Sequence, residues 1–144
     1  MAILNKKAGF EYFLYERFEA GISLIGGEVR SVRKNNVDLS NSYAKFVDNE
    51  LFLVNANIPI EGKKDYVPTR SRKLLLHKSE LISITSKLKA KKLTLVPVKM
   101  YNKGRLIKVE LALAKSKRSF EKRDSIKKKD IERDLAEQFA DKYN

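Results

Sequence analysis

The chain has 144 residues, of which 42% are hydrophobic and 34% charged, and its 31 basic and 18 acidic residues give a formal net charge of +13. The apolar content is enough for a packed core, so a wholly disordered chain is excluded, and the lack of cysteine excludes disulfides, cysteine-ligated zinc and thiol nucleophiles. No apolar run has the length of a membrane span or a signal peptide. The composition therefore predicts a soluble, cytoplasmic, strongly basic protein that binds a polyanion, with nucleic acid as the first expectation.

Two elements are predicted in the first quarter of the chain. Residues 10–25 are rich in aromatic and β-branched side chains, which predicts a strand, bent at Gly21. Residues 28–35 repeat apolar side chains with helical spacing, which predicts a short helix. The following basic residues share another face of this helix: Arg30, Arg33 and Lys34. An ordinary solvated face would explain this trio by itself, so it indicates binding only together with other basic segments.

The middle of the chain predicts two hairpins separated by a loop and a helix. These elements are a hairpin with strands at 42–47 and 50–55, a loop over 59–72, an amphipathic helix over 78–92, and a hairpin with strands at 94–101 and 105–114. Asp48-Asn49 and Asn102-Lys103-Gly104 are typical turn residues. Pro97 interrupts a strand and predicts an edge position or a bulge there. The loop and the residue after it are basic, through Lys63, Lys64, Arg70, Arg72 and Lys73, and basic loops on rigid scaffolds often bind ligands.

The pattern as a whole predicts a mainly β fold with inserted helices. We expect an oligonucleotide-binding-like, closed antiparallel β-barrel over residues 1–114, because closure removes exposed strand edges. The composition changes after Ala114, where basic residues dominate and few large apolar side chains remain. Residues 115–144 are therefore predicted to be a basic tail that is disordered when free. Four of its residues recur at a helical spacing of four: Ile131, Leu135, Phe139 and Tyr143.

The sequence gives little support for catalysis. His77 is the single histidine, and one histidine without cysteine cannot form an ordinary zinc site. There is no nucleophile elbow, P-loop or dinucleotide fingerprint. We therefore predict no enzyme activity, no cofactor and no metal, with a small RNA-processing enzyme as the rival from another class. Basic segments with interspersed tyrosines, Tyr66 and Tyr101 among them, favour RNA binding, since RNA is recognised through phosphates and splayed bases.

Residues 68–81 (PTRSRKLLLHKSEL) resemble the signature of small protein B, the transfer-messenger-RNA-binding family of bacterial ribosome rescue. Further segments match that family in order: 5–8, 18–22, 27–33, 42–43, 94–97, 108–115, 122–123 and 126–128. The resemblance covers nearly the whole chain, and this many short motifs in register make it specific.

The resemblance implies both a fold and a function. It implies an oligonucleotide-binding-like barrel that binds the tRNA-like domain of transfer-messenger RNA (tmRNA, or SsrA RNA) and delivers it to stalled ribosomes for trans-translation. It implies a tail that occupies the empty mRNA channel at the small-subunit decoding centre and becomes helical there. Alanyl-tRNA synthetase and elongation factor Tu are implied as indirect partners through the RNA. The alternative is a ribosomal protein or general RNA-binding protein with a basic β-barrel.

The resemblance also implies site residues. Glu19, Leu75 and His77 fall where the family places RNA-facing side chains. The predicted RNA-binding set further contains family-motif and basic residues: Asn5, Lys6, Arg30, Arg33, Lys34, Arg70, Arg72 and Lys73. The predicted ribosome-binding residues of the tail are Phe120, Lys122, Arg123, Lys127, Lys128 and Arg133. Phe10 and Phe120 depart from the family, because both stand where many members have a polar ring.

Overall fold

The structure is a computed structural model that describes residues 2–117. The predicted tail site, from Phe120 to Arg133, and the stripe over residues 131–143 lie outside this range. The described elements, in chain order, are β1 (Ala2–Leu4), α1 (Lys6–Glu11), β2 (Tyr12–Ile22), α2 (Gly26–Arg33), β3 (Tyr43–Val47), β4 (Glu50–Val54), β5 (Arg72–Leu75), α3 (Lys78–Lys91), β6 (Thr94–Lys103) and β7 (Leu106–Ser116).

The strands form one antiparallel sheet, which confirms the prediction of a mainly β fold with inserted helices. The strand order is β1-β6-β3-β4-β5-β2-β7, and β6 also pairs with β7. The ladders therefore lead from β6 through β3, β4, β5 and β2 to β7 and back to β6. β1 pairs with the far end of β6, where Ala2 lies opposite Tyr101.

The core is formed by one face of these strands together with α2 and α3. In β7 the buried side chains alternate, with Ile107, Val109 and Leu111 turned inward. Ile84 of α3 is also buried in this core cluster. Burying one such side chain contributes about 1.5–3 kcal/mol to stability. The three buried side chains therefore fix which face of β7 points into the core. The alternate residue Lys108 is thereby held on the outer face, where it can meet a ligand.

The two predicted hairpins are confirmed, and their turns show why. Asp48 and Asn49 have φ values of 51° and 67° and join β3 to β4, the left-handed conformation that a two-residue hairpin turn needs. Gly104, with φ of 63°, lies between β6 and β7. The β6–β7 ladder shifts register between Pro97 and Lys99, so the predicted bulge is present.

Three elements differ from the prediction. The predicted strand 10–25 begins only at Tyr12, because residues 10 and 11 belong to α1, a helix started by Asn5. The segment predicted as loop 59–72 ends in β5, which carries Arg72 into the sheet. β7 continues to Ser116, two residues beyond the predicted domain boundary. No helix in the described part of the chain has the length and apolarity needed to cross a membrane.

Candidate nucleic-acid interface

Three of the predicted RNA-facing residues line one surface cleft. Its volume is about 480 Å³, and its lining residues are Glu19, Leu75, Leu76, His77, Glu80 and Lys108. Strand pairing brings them together, since Gly21 of β2 lies opposite Leu75 on one side and Lys108 on the other. The cleft is thus built where β5, β2 and β7 run side by side and α3 begins.

Leu75 gives the cleft an exposed apolar surface. Its side chain is 52% exposed, although the neighbouring Leu74 is fully in the core. A Cβ atom at Gly21 would lie 3.3 Å from the Leu75 Cβ, so a larger residue there would displace Leu75. An exposed leucine beside charged groups offers an apolar contact to the face of an unstacked base.

Glu19 is an exposed carboxylate that two neighbours hold in place. The Tyr101 hydroxyl and the Lys103 Nζ both donate hydrogen bonds to it, the latter at 3.1 Å from Oε1. The hydrogen bonds from Tyr101 and Lys103 lower the pKa of Glu19. Burial and the bond to Glu19 raise the pKa of Tyr101 to about 12, so this hydroxyl remains a donor. An ionised carboxylate only accepts hydrogen bonds, so it suits base amino groups or ribose hydroxyls rather than phosphates.

His77 stands at the start of α3, as its sequence position predicts. It is the N-cap residue, and the Glu80 carboxylate accepts a hydrogen bond of 3.2 Å from its backbone N–H. The imidazole itself does not cap the helix and is exposed on the cleft. The N-terminus of α3 and Lys108 supply positive charge at this rim of the cleft, beside the carboxylates of Glu19 and Glu80.

Two predicted residues, Arg70 and Arg72, instead belong to a hydrogen-bonded cluster whose centre is buried. Glu28, Tyr66, Arg70 and Arg72, called the Glu28 cluster below, tie α2 to the segment before β5. The Arg72 Nε and Nη2 donate to Glu28 Oε2 at 2.9 and 2.6 Å, and Arg70 Nε donates to the same oxygen at 3.0 Å. The Tyr66 hydroxyl donates to Glu28 Oε2 at 2.7 Å. Glu28 and Arg72 are both completely buried.

The prediction that Arg72 binds RNA is wrong for a geometric reason. Besides Glu28, its guanidinium donates to the carbonyl oxygens of Ala56 and Pro68, at 2.6 and 2.8 Å. A guanidinium has five N–H donors, and these bonds direct them into the protein. Arg70 is half-buried and turned toward Glu28. Arg72 therefore supports the cleft from inside, because Leu75 lies three residues farther along the same strand.

Burial raises the pKa of the Glu28 carboxyl, but the hydrogen bonds outweigh this effect. Donors from Arg70, Tyr66, the Ile25 backbone and Arg72 lower the pKa to about 2. The tight fit extends to the backbone, since a Cβ at Gly27 would come within 2.9 Å of the Ile60 side chain. Gly27 thus lets α2 approach the segment before β5.

Asn5, another predicted residue, has a structural role. Its side chain is buried, its Nδ2 donates to the Pro97 carbonyl at 2.8 Å, and its Oδ1 accepts from the Ala8 N–H at 3.3 Å. It starts α1 and attaches that helix to β6. The RNA contact predicted at this position stays a prediction.

The other predicted basic residues lie on the surface but outside the cleft. Lys6, Arg30, Arg33 and Lys34 are exposed on or beside α1 and α2. Lys73 is exposed on β5 and pairs with Glu50 at 3.0 Å. These residues are exposed to solvent and lie apart from the lining of the cleft.

The family model of the SmpB protein matches residues 2–141 of the chain. The chain belongs to the SmpB protein family. It is 45% identical over 134 residues to the SsrA-binding protein of Dehalococcoides mccartyi strain BAV1, covering 91% of this chain and 78% of that relative. It is 44% identical over 144 residues to the SsrA-binding protein of Symbiobacterium thermophilum, covering 97% and 91%.

A solved structure described as "tmRNA-SmpB: a journey to the center of the bacterial ribosome" has the same fold. Its TM-score is 0.67 at 44% identity, covering 82% of this chain and 85% of that chain. SmpB family membership confirms the resemblance seen in the sequence motifs. Among residues 2–117, no group of three or more histidine, cysteine or acidic side chains is placed to hold a metal ion.

Sequence reasoning missed part of this SmpB cleft. Lys108 and Glu80 line the cleft but are absent from the predicted set, and so are Tyr101 and Lys103, which hold Glu19. The alternation in β7 contains a signal for Lys108, since it places that residue on the outer face. The contact between Tyr101 and Glu19 joins residues 82 positions apart, and no local pattern reveals it.

Proposed function

We propose that this chain binds the tRNA-like domain of tmRNA in the Glu19–Leu75–His77 cleft and brings the RNA to stalled ribosomes for trans-translation. The observation that carries this proposal is the convergence of those three residues on one cleft in a chain of the SmpB family. The relatives named SsrA-binding proteins and the tmRNA-SmpB structure support the same RNA and the ribosome as partners.

The cleft would act by recognition, with no bond made or broken. Leu75 would contact the face of a base, Glu19 would accept hydrogen bonds from base amino groups or ribose hydroxyls, and Lys108 would pair with a phosphate. Exposed basic residues on α1 and α2 would neutralise further phosphates. The unfinished protein would then be tagged for degradation from the reading frame of the RNA.

Finer features of the proposal concern the whole molecule. The return of the strand ladders from β7 to β6 supports a closed barrel of the oligonucleotide-binding type. We assign RNA binding to this barrel and ribosome contact to the basic tail, through the empty mRNA channel of the small subunit. The protein would work in the cytoplasm, where alanyl-tRNA synthetase and elongation factor Tu would join it indirectly through the RNA.

The deciding experiment is to recover and sequence the RNA that the full chain binds in a bacterial lysate. We expect strong enrichment of a single RNA with a tRNA-like fold and an internal reading frame. Equal recovery of many tRNAs and ribosomal RNAs would support the alternative, a general RNA-binding or ribosomal protein.

Leu75→Asp is expected to weaken binding of the tRNA-like domain by about tenfold or more, because a hot-spot apolar contact is lost and a carboxylate repels phosphate. Leu4→Asp is the matched control. Leu4 is 60% exposed on β1 and is not among the residues that line the cleft. Binding is measured by fluorescence anisotropy, with circular dichroism to check folding. Equal weakening by both variants would contradict the proposed cleft.

RNA affinity is also expected to fall steeply with salt concentration. Each neutralised phosphate should add a slope of about −0.7 to −0.9 to log K against log[salt]. Arg33→Gln removes one exposed cation of α2. The total slope should become less steep by about the contribution of one phosphate contact. A flat salt dependence in the unaltered protein would rule out the electrostatic part of the proposal.

A further inference from the structure

The last described residue, Lys117, is buried in spite of its charge. Its exposed fraction is 5%, its Nζ donates to the Gly9 carbonyl at 3.2 Å, and the same ammonium lies 5.2 Å from the centroid of the Phe13 ring. Its backbone N–H donates to the Glu11 carbonyl at 2.9 Å. Backbone and side chain are therefore both attached to the region where α1 passes into β2.

Burying a lysine ammonium is costly, so such a position is uncommon without a compensating role. The contacts of Lys117 with α1 and with the Phe13 ring offset part of this cost. A cation over an aromatic face is attracted by the ring electrons, and a cation near the C-terminus of a helix stabilises the helix dipole. The last turn of α1 has no basic residue of its own, and Lys117 supplies that charge from more than a hundred residues away.

This attachment lies at the C-terminal end of the described residues. Ser116, the last residue of β7, pairs with Tyr12 at the start of β2. The backbone bond of Lys117 to Glu11 continues this attachment by one residue. The RNA cleft lies near the other end of the same strand, at Lys108. Lys117 lies nine positions after Lys108 along extended chain, about 30 Å away.

We infer that Lys117 is a positioning residue that fixes the exit point of the C-terminal segment relative to the bound RNA. The inference rests on the proposed function, because it gives the fixed exit a purpose: the RNA and the C-terminal segment would reach the ribosome at a set separation. Restricting where a tethered segment begins raises its effective concentration at the second site. Exposed lysines would add charge but would not set this geometry.

The first test measures the attachment itself by hydrogen exchange in the full chain. Lys117→Met keeps most of the side-chain length and removes the charge. We expect exchange of the residue 117 amide and of the α1 amides to rise about tenfold, while the Val109 amide in the core stays unchanged. Lys117→Arg keeps a cation and should retain the protection. Unchanged exchange at residue 117 in Lys117→Met would overturn the inference, whatever RNA the protein binds.

The second test measures the consequence on stalled ribosomes. Lys117→Met should lower the tagging rate about tenfold while the affinity for tmRNA stays the same, and Lys117→Arg should restore tagging. Lys115→Met is the matched control, because Lys115 is exposed on β7 and its loss removes the same charge. Normal tagging by Lys117→Met, or an equal loss in Lys115→Met, would overturn the positioning role. A protein that fails to bind tmRNA at all would instead contradict the proposed function.

Discussion

Removal of residues 118–144 is expected to abolish tagging on stalled ribosomes while leaving the affinity for tmRNA within about twofold of the full chain. Every lining residue of the cleft lies between Glu19 and Lys108 and is retained. The deleted segment holds eight basic and seven acidic residues, so the net charge changes only from +13 to +12. The attraction to phosphate is therefore almost unchanged. Filter binding of tmRNA and a tagging assay on the same preparations measure the two effects.

The deletion begins at residue 118 because β7 runs to Ser116 and Lys117 is packed on α1. Cutting at the predicted boundary after Ala114 would remove part of that strand and confuse a folding defect with a functional one. A full-length variant with Lys122→Ala and Arg123→Ala provides a milder test, since those residues are predicted to contact ribosomal RNA. Full tagging by the truncated protein would remove the tail from the mechanism.

Local sequence signals predicted the fold where local geometry decides it. Asp48-Asn49 can adopt the left-handed conformations of a two-residue turn, and this alone positions β3 against β4. Pro97 cannot complete a regular ladder, and the register shift follows it. Short elements such as β1 and α1 have no such signal, because three to six residues carry too little periodicity and depend on distant partners.

Family motifs predicted part of the candidate site. They did not predict which basic side chains are buried. Glu19, Leu75 and His77 were found because family motifs mark them, although they lie on three separate elements. Arg72 was mistaken for an RNA ligand because it lies in a basic run. Only the fold reveals that the Arg72 guanidinium is paired inside the protein with Glu28, which lies 44 positions earlier. A basic sequence run does not distinguish a cation that faces solvent from one that is paired in the core.

Glu28→Gln is expected to lower the free energy of unfolding by about 3–5 kcal/mol, the cost of leaving a buried ion pair without one charge. Arg72 is fully buried and could not turn to water, and Arg70 and Tyr66 would lose their shared acceptor charge. Urea denaturation followed by circular dichroism measures the change. Glu50→Gln is the matched control, because its pair with Lys73 is about half exposed, and such pairs contribute about 0–1 kcal/mol.

The pH dependence separates the charge of Glu28 from its packing. The folded pKa of Glu28 is lowered from its ordinary value of 4.5 to about 2, so its ionised form stabilises the fold above pH 4.5. This contribution, about 3 kcal/mol for such a shift, is lost as the pH falls through 2. Glu28→Gln cannot lose it, so the stability gap between the two proteins should narrow steadily from pH 5 toward pH 2. A gap that stays constant over this range would mean that shape, and not the carboxylate charge, holds Arg72 and the strand leading to the cleft.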